Sequence, residues 1–184
     1  FDTGTGNALM DGWCLRHTGR SYDESGRWAA SGKVLPELLA AMLGDPYLAQ
    51  EPPKSTGRDL FHAEWLERHL QQHAAQAAAA DVQATLAEFT AASCAHAVQR
   101  FGRSGTELLV CGGGALNTHL MQRLAALLPG VKVASTAEHG LPPLEVEAAA
   151  FAWLARQCLL GLPGNLASVT GASGPRILGA IHPA

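Results

Sequence analysis

Residues 106–128 read TELLVCGGGALNTHLMQRLAALL, and the fold is decided by how this stretch is parsed. Leu108, Leu109, Val110 and Cys111 form a short apolar run of the kind found in a strand buried on both faces. Gly112, Gly113 and Gly114 follow at once, and Leu120, Leu124, Leu127 and Leu128 then recur at helical spacing. Asn117 or Thr118 stands where the first turn needs a cap, and Pro129-Gly130 ends the helix. Val131-Lys132-Val133-Ala134-Ser135 reads as a second short strand. Two strands joined through a helix pair in parallel. The class is therefore α/β, helix-rich, with a small and mostly parallel sheet. The glycines fall at the carboxyl end of the first strand, where open α/β sheets bind ligands. Residues without side chains let a ligand lie against bare backbone. A tight strand-to-helix turn needing positive φ explains them too, and from the turn alone that is the stronger reading. No Gly-Lys-Ser/Thr follows, which excludes a Walker phosphate loop.

The 184 residues are 47% hydrophobic and 16% charged, enough for one good core or two small ones in a globular chain. A formal charge of −3 leaves no basic footprint for nucleic acid, and no apolar run approaches membrane-spanning length. Neither a nucleic acid nor a membrane is expected as a partner. The four cysteines, Cys14, Cys94, Cys111 and Cys158, are scattered in apolar contexts, as buried thiols in a reducing cytoplasm are. The eight histidines lack ligand spacing, so no metal site is expected from the chain itself.

Towards the amino terminus, Asp2, Thr3, Gly4, Thr5, Gly6 and Asn7 set an acid, two hydroxyls and two glycines directly before a helical pattern. Asn7 is placed to cap a helix carrying Leu9, Met10, Trp13, Cys14 and His17. An acid just before exposed helix amides suits phosphate binding or activation of a hydroxyl. An ordinary capped helix start accounts for the same residues. Residues 18–32, TGRSYDESGRWAASG, read as a polar surface loop, and residues 34–43 as a short helix stopped by Gly44. In the next loop, residues 45–59, Lys54, Ser55, Thr56 and Arg58 offer two cations and two hydroxyls to an anion, unless they are merely solvated.

Asp81 is placed to cap the longest helix, which runs through Val82, Leu86, Phe89, Cys94, Val98 and Phe101 towards Gly102. His96 on that helix is expected to be packed and hydrogen-bonded. Beyond Pro142-Pro143, a helix carrying Ala148, Phe151, Ala152, Leu154, Ala155, Cys158 and Leu159 is apolar around much of its girth, so deep burial is expected. Glu145 and Glu147 lie in its first turn, where the macrodipole favours carboxylates.

Six separate stretches carry a family resemblance: FDTGTGNALMDGW at 1–13, YDESGRWAASGKV at 22–34, PPKSTGRDLF at 52–61, VCGGGALNTHLM at 110–121, EAAAFAWLA at 147–155 and VTGA at 169–172. Together they resemble the carboxyl-terminal half of the anhydro-N-acetylmuramic acid kinase family, in the actin, hexokinase and heat-shock-chaperone ATPase superfamily. PPKSTGR beside DTGxGN is the specific pair. Thr5 stands where that family usually has proline, which implies a change in loop stiffness and no lost chemical group. The resemblance implies a ribonuclease H-like, actin-like ATPase fold of two domains. In that scheme residues 1–184 are the carboxyl-terminal part of the second domain. The chain starts at Phe1, inside a motif, and we expect the first domain and the first strands of the second to lie outside it.

The implied reaction uses ATP to phosphorylate the six-position oxygen of 1,6-anhydro-N-acetylmuramic acid while water opens the anhydro bridge at the anomeric carbon. The product is N-acetylmuramic acid 6-phosphate, in peptidoglycan recycling. The implied partners are ATP with Mg²⁺ and a small amino sugar, in the cytoplasm, and a homodimer is compatible with the family. The resemblance assigns proton acceptance from water to Asp2, and the nucleotide's adenosine end to Gly112, Gly113, Gly114, Ala115 and Asn117. It puts Thr3, Gly4, Gly6, Asn7, Glu147, Lys54, Ser55 and Thr56 in the vicinity of sugar or phosphate. Two rivals stand beside it: another sugar or acyl kinase of the superfamily, and a non-catalytic nucleotide-gated binding module. PPKSTGR speaks against the first, and loss of turnover in an Asp2 variant that still binds ATP would speak against the second.

Overall fold

The computed structural model describes residues 1–102 and 104–182. Helices α1 (Ala8–Thr18), α2 (Arg27–Ser31), α3 (Pro36–Leu43), α4 (Pro46–Ala49), α5 (Ala63–His73) and α6 (Ala79–Phe101) precede strand β1 (Glu107–Val110). Helix α7 (Thr118–Leu127) crosses to β2 (Lys132–Ser135), and α8 (Val146–Leu159) and α9 (Ala167–Thr170) follow. Prolines open α3 and α4, where a missing N–H costs nothing. Asn117 caps α7 as its position predicts, its Oδ1 accepting from the Leu120 N–H at 3.0 Å.

Helix α6 is the hub, with α1, α2, α3 and α7 all packed against it. It is buried almost all round: Val82, Leu86 and Phe89 on one side, and Gln83, Ala84, Ala87 and Ala91 on others. Its alanines let neighbouring backbone come close. A Cβ on Gly32, beside α2, would lie only 2.1 Å from the Ala80 carbonyl oxygen. Phe61 and Trp65 pack edge-on with ring centroids 5.2 Å apart, and Trp65 stacks on Phe89 at 5.7 Å. Burial of each such side chain is worth about 1.5–3 kcal/mol.

Strands β1 and β2 pair in parallel, Leu108 opposite Val133 and Leu109 opposite Ala134, as the strand–helix–strand pattern predicts. Burial of β1 on both faces is not found. Leu108 and Val110 face the core side while Leu109 is 41% exposed, because the helices cover only one face of the pair.

Several other expectations are corrected. Helix α6 begins two residues before Asp81, whose Oδ1 accepts instead from the Lys33 N–H at 2.7 Å and so holds the turn before α3. His96 is exposed rather than packed. Residues 18–32 are less of a loop than expected, since they hold α2 and a 3₁₀ turn over Glu24–Gly26. Cys14 is buried, but Cys94 and Cys158 are only partly so and Cys111 is exposed. Helix α8 is not deeply buried: Phe151 is 64% exposed, Trp153 50% and Leu159 72%. Among the described residues it is lined along one side by the tail around Leu178 and Ile181, and an apolar girth is covered only where something packs against it.

Candidate functional site

The amino-terminal segment is pinned at three points, and each falls on a residue the sequence singles out. Asp2 is the first. Its Oδ2 accepts from the Thr56 N–H at 2.9 Å and the Ser55 hydroxyl at 2.8 Å. The Tyr47 hydroxyl donates to its carbonyl at 2.8 Å, and its own N–H meets the Lys54 carbonyl at 3.4 Å. The Thr56 amide, then the Ser55 hydroxyl, hold the Asp2 carboxyl below the usual carboxylate range. Oδ1 has no hydrogen-bond partner among the described residues. The result is an exposed, ionised carboxylate with one oxygen anchored and one open.

The second point is the edge of α6. Gly4 lies so close that a Cβ there would sit 2.7 Å from the Ser93 hydroxyl. The Thr90 hydroxyl donates to the Gly6 carbonyl at 3.0 Å and lies 3.3 Å from the Thr5 hydroxyl. The third is Asn7, which makes no side-chain cap on α1, contrary to the expectation from sequence. Its amide lies instead beside the glycine turn, where a Cβ on Gly113 would stand 3.3 Å from Nδ2.

The glycine turn itself divides by residue. Only Gly112 has a positive φ, 71°, and its N–H donates to the Pro143 carbonyl at 2.8 Å, tying the turn to the entry of α8. Positive φ therefore explains one glycine of three. Gly113 and Gly114 open a single 3₁₀ turn over Gly113–Leu116, and their N–H groups meet no acceptor among the described residues. Ala115 and Asn117 close the turn through N–H bonds to the Gly112 and Gly114 carbonyls at 3.2 and 3.1 Å. Free amides with no side chain in front of them suit the close approach of a polar ligand.

Two cavities flank this junction, and Asn7 and Gly113 line both. One, of about 390 Å³, runs between β1, α6 and the glycine turn, with Thr3, Gly6 and Ser93 in its wall. The other, of about 340 Å³, is more polar and brings Asn117 together with Asp11, Tyr22, Asp23 and Leu144. Asp23 and Tyr22 were not recognisable as site residues within a stretch read as surface loop. The signal was present in YDESG: Asp23 accepts from the Trp28 and Ala29 N–H groups at 2.9 and 2.8 Å, fixing the start of α2 against the site. A Cβ on Gly26 would lie 2.2 Å from Asn117 Oδ1, so the two segments touch.

Lys54 and Glu147 are not brought to this junction. Lys54 turns inward, its Nζ donating to the Tyr47 and Leu48 carbonyls at 3.1 and 3.3 Å and lying 4.6 Å from the Tyr47 ring centroid. Burial lowers its pKa. Glu147 is exposed in the first turn of α8 and has no hydrogen bond to the Asp2 loop among the described residues. The VTGA tail does approach, with a Cβ on Gly171 falling 3.2 Å from the Pro53 ring. Among the described residues, no three His, Cys, Asp or Glu side chains are grouped to hold a metal ion, and no helix is long and apolar enough to cross a membrane.

The whole chain, residues 1–184, matches the family described as anhydro-N-acetylmuramic acid kinase. It is similar over its full length to proteins of that name from Variovorax paradoxus, at 64% identity, and Albidiferax ferrireducens, at 60%. A third from Pseudomonas fluorescens is 55% identical over 183 residues. The chain covers 49%, 47% and 50% of these three relatives, about half the length of each. On the match over all of residues 1–184 and the identity to these relatives, the chain belongs to the anhydro-N-acetylmuramic acid kinase family.

Proposed function

We propose that the protein is an ATP-dependent kinase that converts 1,6-anhydro-N-acetylmuramic acid to N-acetylmuramic acid 6-phosphate, as part of cell-wall recycling in the cytoplasm. On this reading residues 1–184 are the carboxyl-terminal part of the second domain of an actin-like ATPase fold, and the rest of the protein supplies the remaining half of the site. The observation that carries it is the Asp2 carboxylate, ionised by the Thr56 and Ser55 donors and open at Oδ1, on a segment whose Asn7 lies against the glycine turn.

The proposed chemistry is the one the family resemblance implies, with Asp2 as the proton acceptor. A water on the sugar's anomeric carbon gives a proton to Asp2 Oδ1 as its oxygen bonds to that carbon. The bond from the anomeric carbon to the bridging oxygen breaks, and that oxygen, at the six position, receives the phosphoryl group of ATP, leaving ADP. General-base assistance of this kind contributes typically about a hundred- to ten-thousandfold. Ser55 and Thr56 hold the carboxylate in place, so Asp2 need not reorganise as it accepts the proton. The bare amides of Gly113 and Gly114, with Ala115 and Asn117 behind them, bind the nucleotide, and Thr3, Gly4, Gly6 and Asn7 border the sugar and phosphate.

A magnesium ion is proposed to arrive with the nucleotide, as in other phosphoryl transfers from ATP. When bound, the ion neutralises charge on the transferring phosphoryl group. The shared name of the relatives lends no support to another sugar or acyl kinase, or to a non-catalytic module.

The test is Asp2→Asn in the protein at the full length of its relatives. Turnover should fall about a hundred- to ten-thousandfold in a coupled ADP-release assay while ATP affinity stays near normal. Near-wild-type turnover would remove Asp2 from the mechanism. Absence of sugar-dependent ADP release in the unsubstituted protein would overturn the activity itself.

A further inference from the structure

The loop over residues 54–58 offers, in sequence, two cations and two hydroxyls to one anion, and the folded chain takes that set apart. Lys54 is spent on backbone carbonyls and the Ser55 hydroxyl on Asp2, which Thr56 meets through its backbone N–H rather than its hydroxyl. Arg58 remains. Its guanidinium makes no hydrogen bond or ion pair among the described residues, and it lines a cavity of about 430 Å³ between α1 and α5. That volume is within the range of small-ligand pockets.

The other charges facing this cavity are accounted for. Arg16 and Glu67 pair with each other across the two helices. His62 lies against Glu64, 2.6 Å from Nδ1 to Oε2. Asp11 has no side-chain partner among the described residues, and burial, then the nearby Asp23, raises its pKa. The remaining wall is largely apolar, formed by Leu9, Trp13, Phe61 and Leu66. Trp13 is fixed by its indole N–H on the Ala79 carbonyl at 2.9 Å.

The chain joins the cavity wall to the Asp2 loop at two points. Arg58 is two residues beyond Thr56, at most about 7 Å along the chain. The wall contributed by α1 begins at Ala8, directly after Asn7.

We propose that this cavity receives the carboxylate-bearing side arm of a sugar acid, with Arg58 as the residue that pairs with the carboxylate. The inference rests on the reading given under Proposed function. A muramic acid differs from the parent amino sugar by a lactyl ether, which carries a methyl group and the one negative charge of the unphosphorylated sugar. A planar guanidinium matches a carboxylate through two parallel N–H bonds. Trp13, Phe61 and Leu66 offer the methyl an apolar wall, and Asp11 accepts from a hydroxyl or amide N–H of the ring. Arg58 sets specificity and does no bond-making.

The experiment uses the full-length protein with Arg58→Ala and Arg58→Lys. Each is assayed on 1,6-anhydro-N-acetylmuramic acid and on 1,6-anhydro-N-acetylglucosamine, which lacks the lactyl arm, as substrate or competitive inhibitor. For Arg58→Ala, KM for the acid should rise about ten- to hundredfold with kcat changed far less, since hydrogen bonds to a charged group are involved. The preference for the acid over the lactyl-free sugar should fall by the same factor, and Arg58→Lys should restore part of it. Circular dichroism checks that both variants fold. Equal losses on the two sugars, or an unchanged KM for the acid, would overturn the inference while leaving the kinase reading intact. Turnover of neither sugar by the unsubstituted protein would overturn both.

Discussion

At Asp2 one oxygen of the carboxylate is anchored and the other is open, and this makes its proposed role testable. The Thr56 amide and the Ser55 hydroxyl hold the group below the usual carboxylate range. On the proposed role, in which the ionised form accepts the proton, activity should persist on acidification until pH falls through that lowered pKa. Ser55→Ala removes one donor to the charged form, so the pKa rises and the acid limb of the kcat/KM profile moves to higher pH. Ser55→Ala leaves the Thr56 amide in place, so the shift should be partial. A pH–rate profile of the full-length variant that superimposes on wild type would separate Ser55 from the proton acceptor. The acid, the hydroxyls and their order were all legible in the sequence. That Lys54 would turn away was not, because its partners are the carbonyls of Tyr47 and Leu48, which no side-chain pattern announces.

On the scale of one element, the glycine turn separates space from conformation. Gly112 needs its left-handed φ; Gly113 needs room beside Asn7. Gly113→Val sets a branched side chain where a Cβ already meets Asn7 Nδ2 at 3.3 Å, and covers the two free amides. ATP affinity of the full-length protein should fall more than tenfold by titration calorimetry, while overpacking at this exposed position costs folding no more than about 1–3 kcal/mol. Unchanged ATP binding would reduce the turn to a structural one. The strand, glycine turn and helix were readable because each has its own period or breaker. The burial of β1 was not, since an apolar run looks alike whether one face or two are covered. Helix α8 misled for the same reason: its composition records affinity for apolar surface, not the presence of that surface among these residues.

For the molecule as a whole, the large exposed side chains gather on α8 and the segment after it: Phe151, Trp153, Leu159, Leu160, Leu166 and Ile181 are each at least 50% exposed. The two-stranded sheet also presents unpaired edges, which invite pairing with another chain. Patches of this kind rarely stay bare in solution. Residues 1–184 expressed alone should therefore self-associate, with a mass by light scattering that rises with concentration, and show no kinase activity. Phe151→Glu with Leu159→Glu should lower that mass, because both line the same side of the helix. A monodisperse monomer at every concentration would mean that the exposed face is stable in water.

The all-round burial of α6 bears on how this sequence can drift. Ala87 and Ala91 are 0% exposed, Ala80 and Ser93 each face a glycine too close to carry a side chain, and Thr90 holds the Gly6 carbonyl. Adding a single methylene between Val82 and Ala95 of this helix therefore has to be answered by movement in another segment, often the Asp2 loop. Random substitution should thus be tolerated least in a helix that touches no reactant, and tolerated most on α8, whose side chains meet little. A map of neutral change across the chain would trace the packing of α6 before it traced the chemistry.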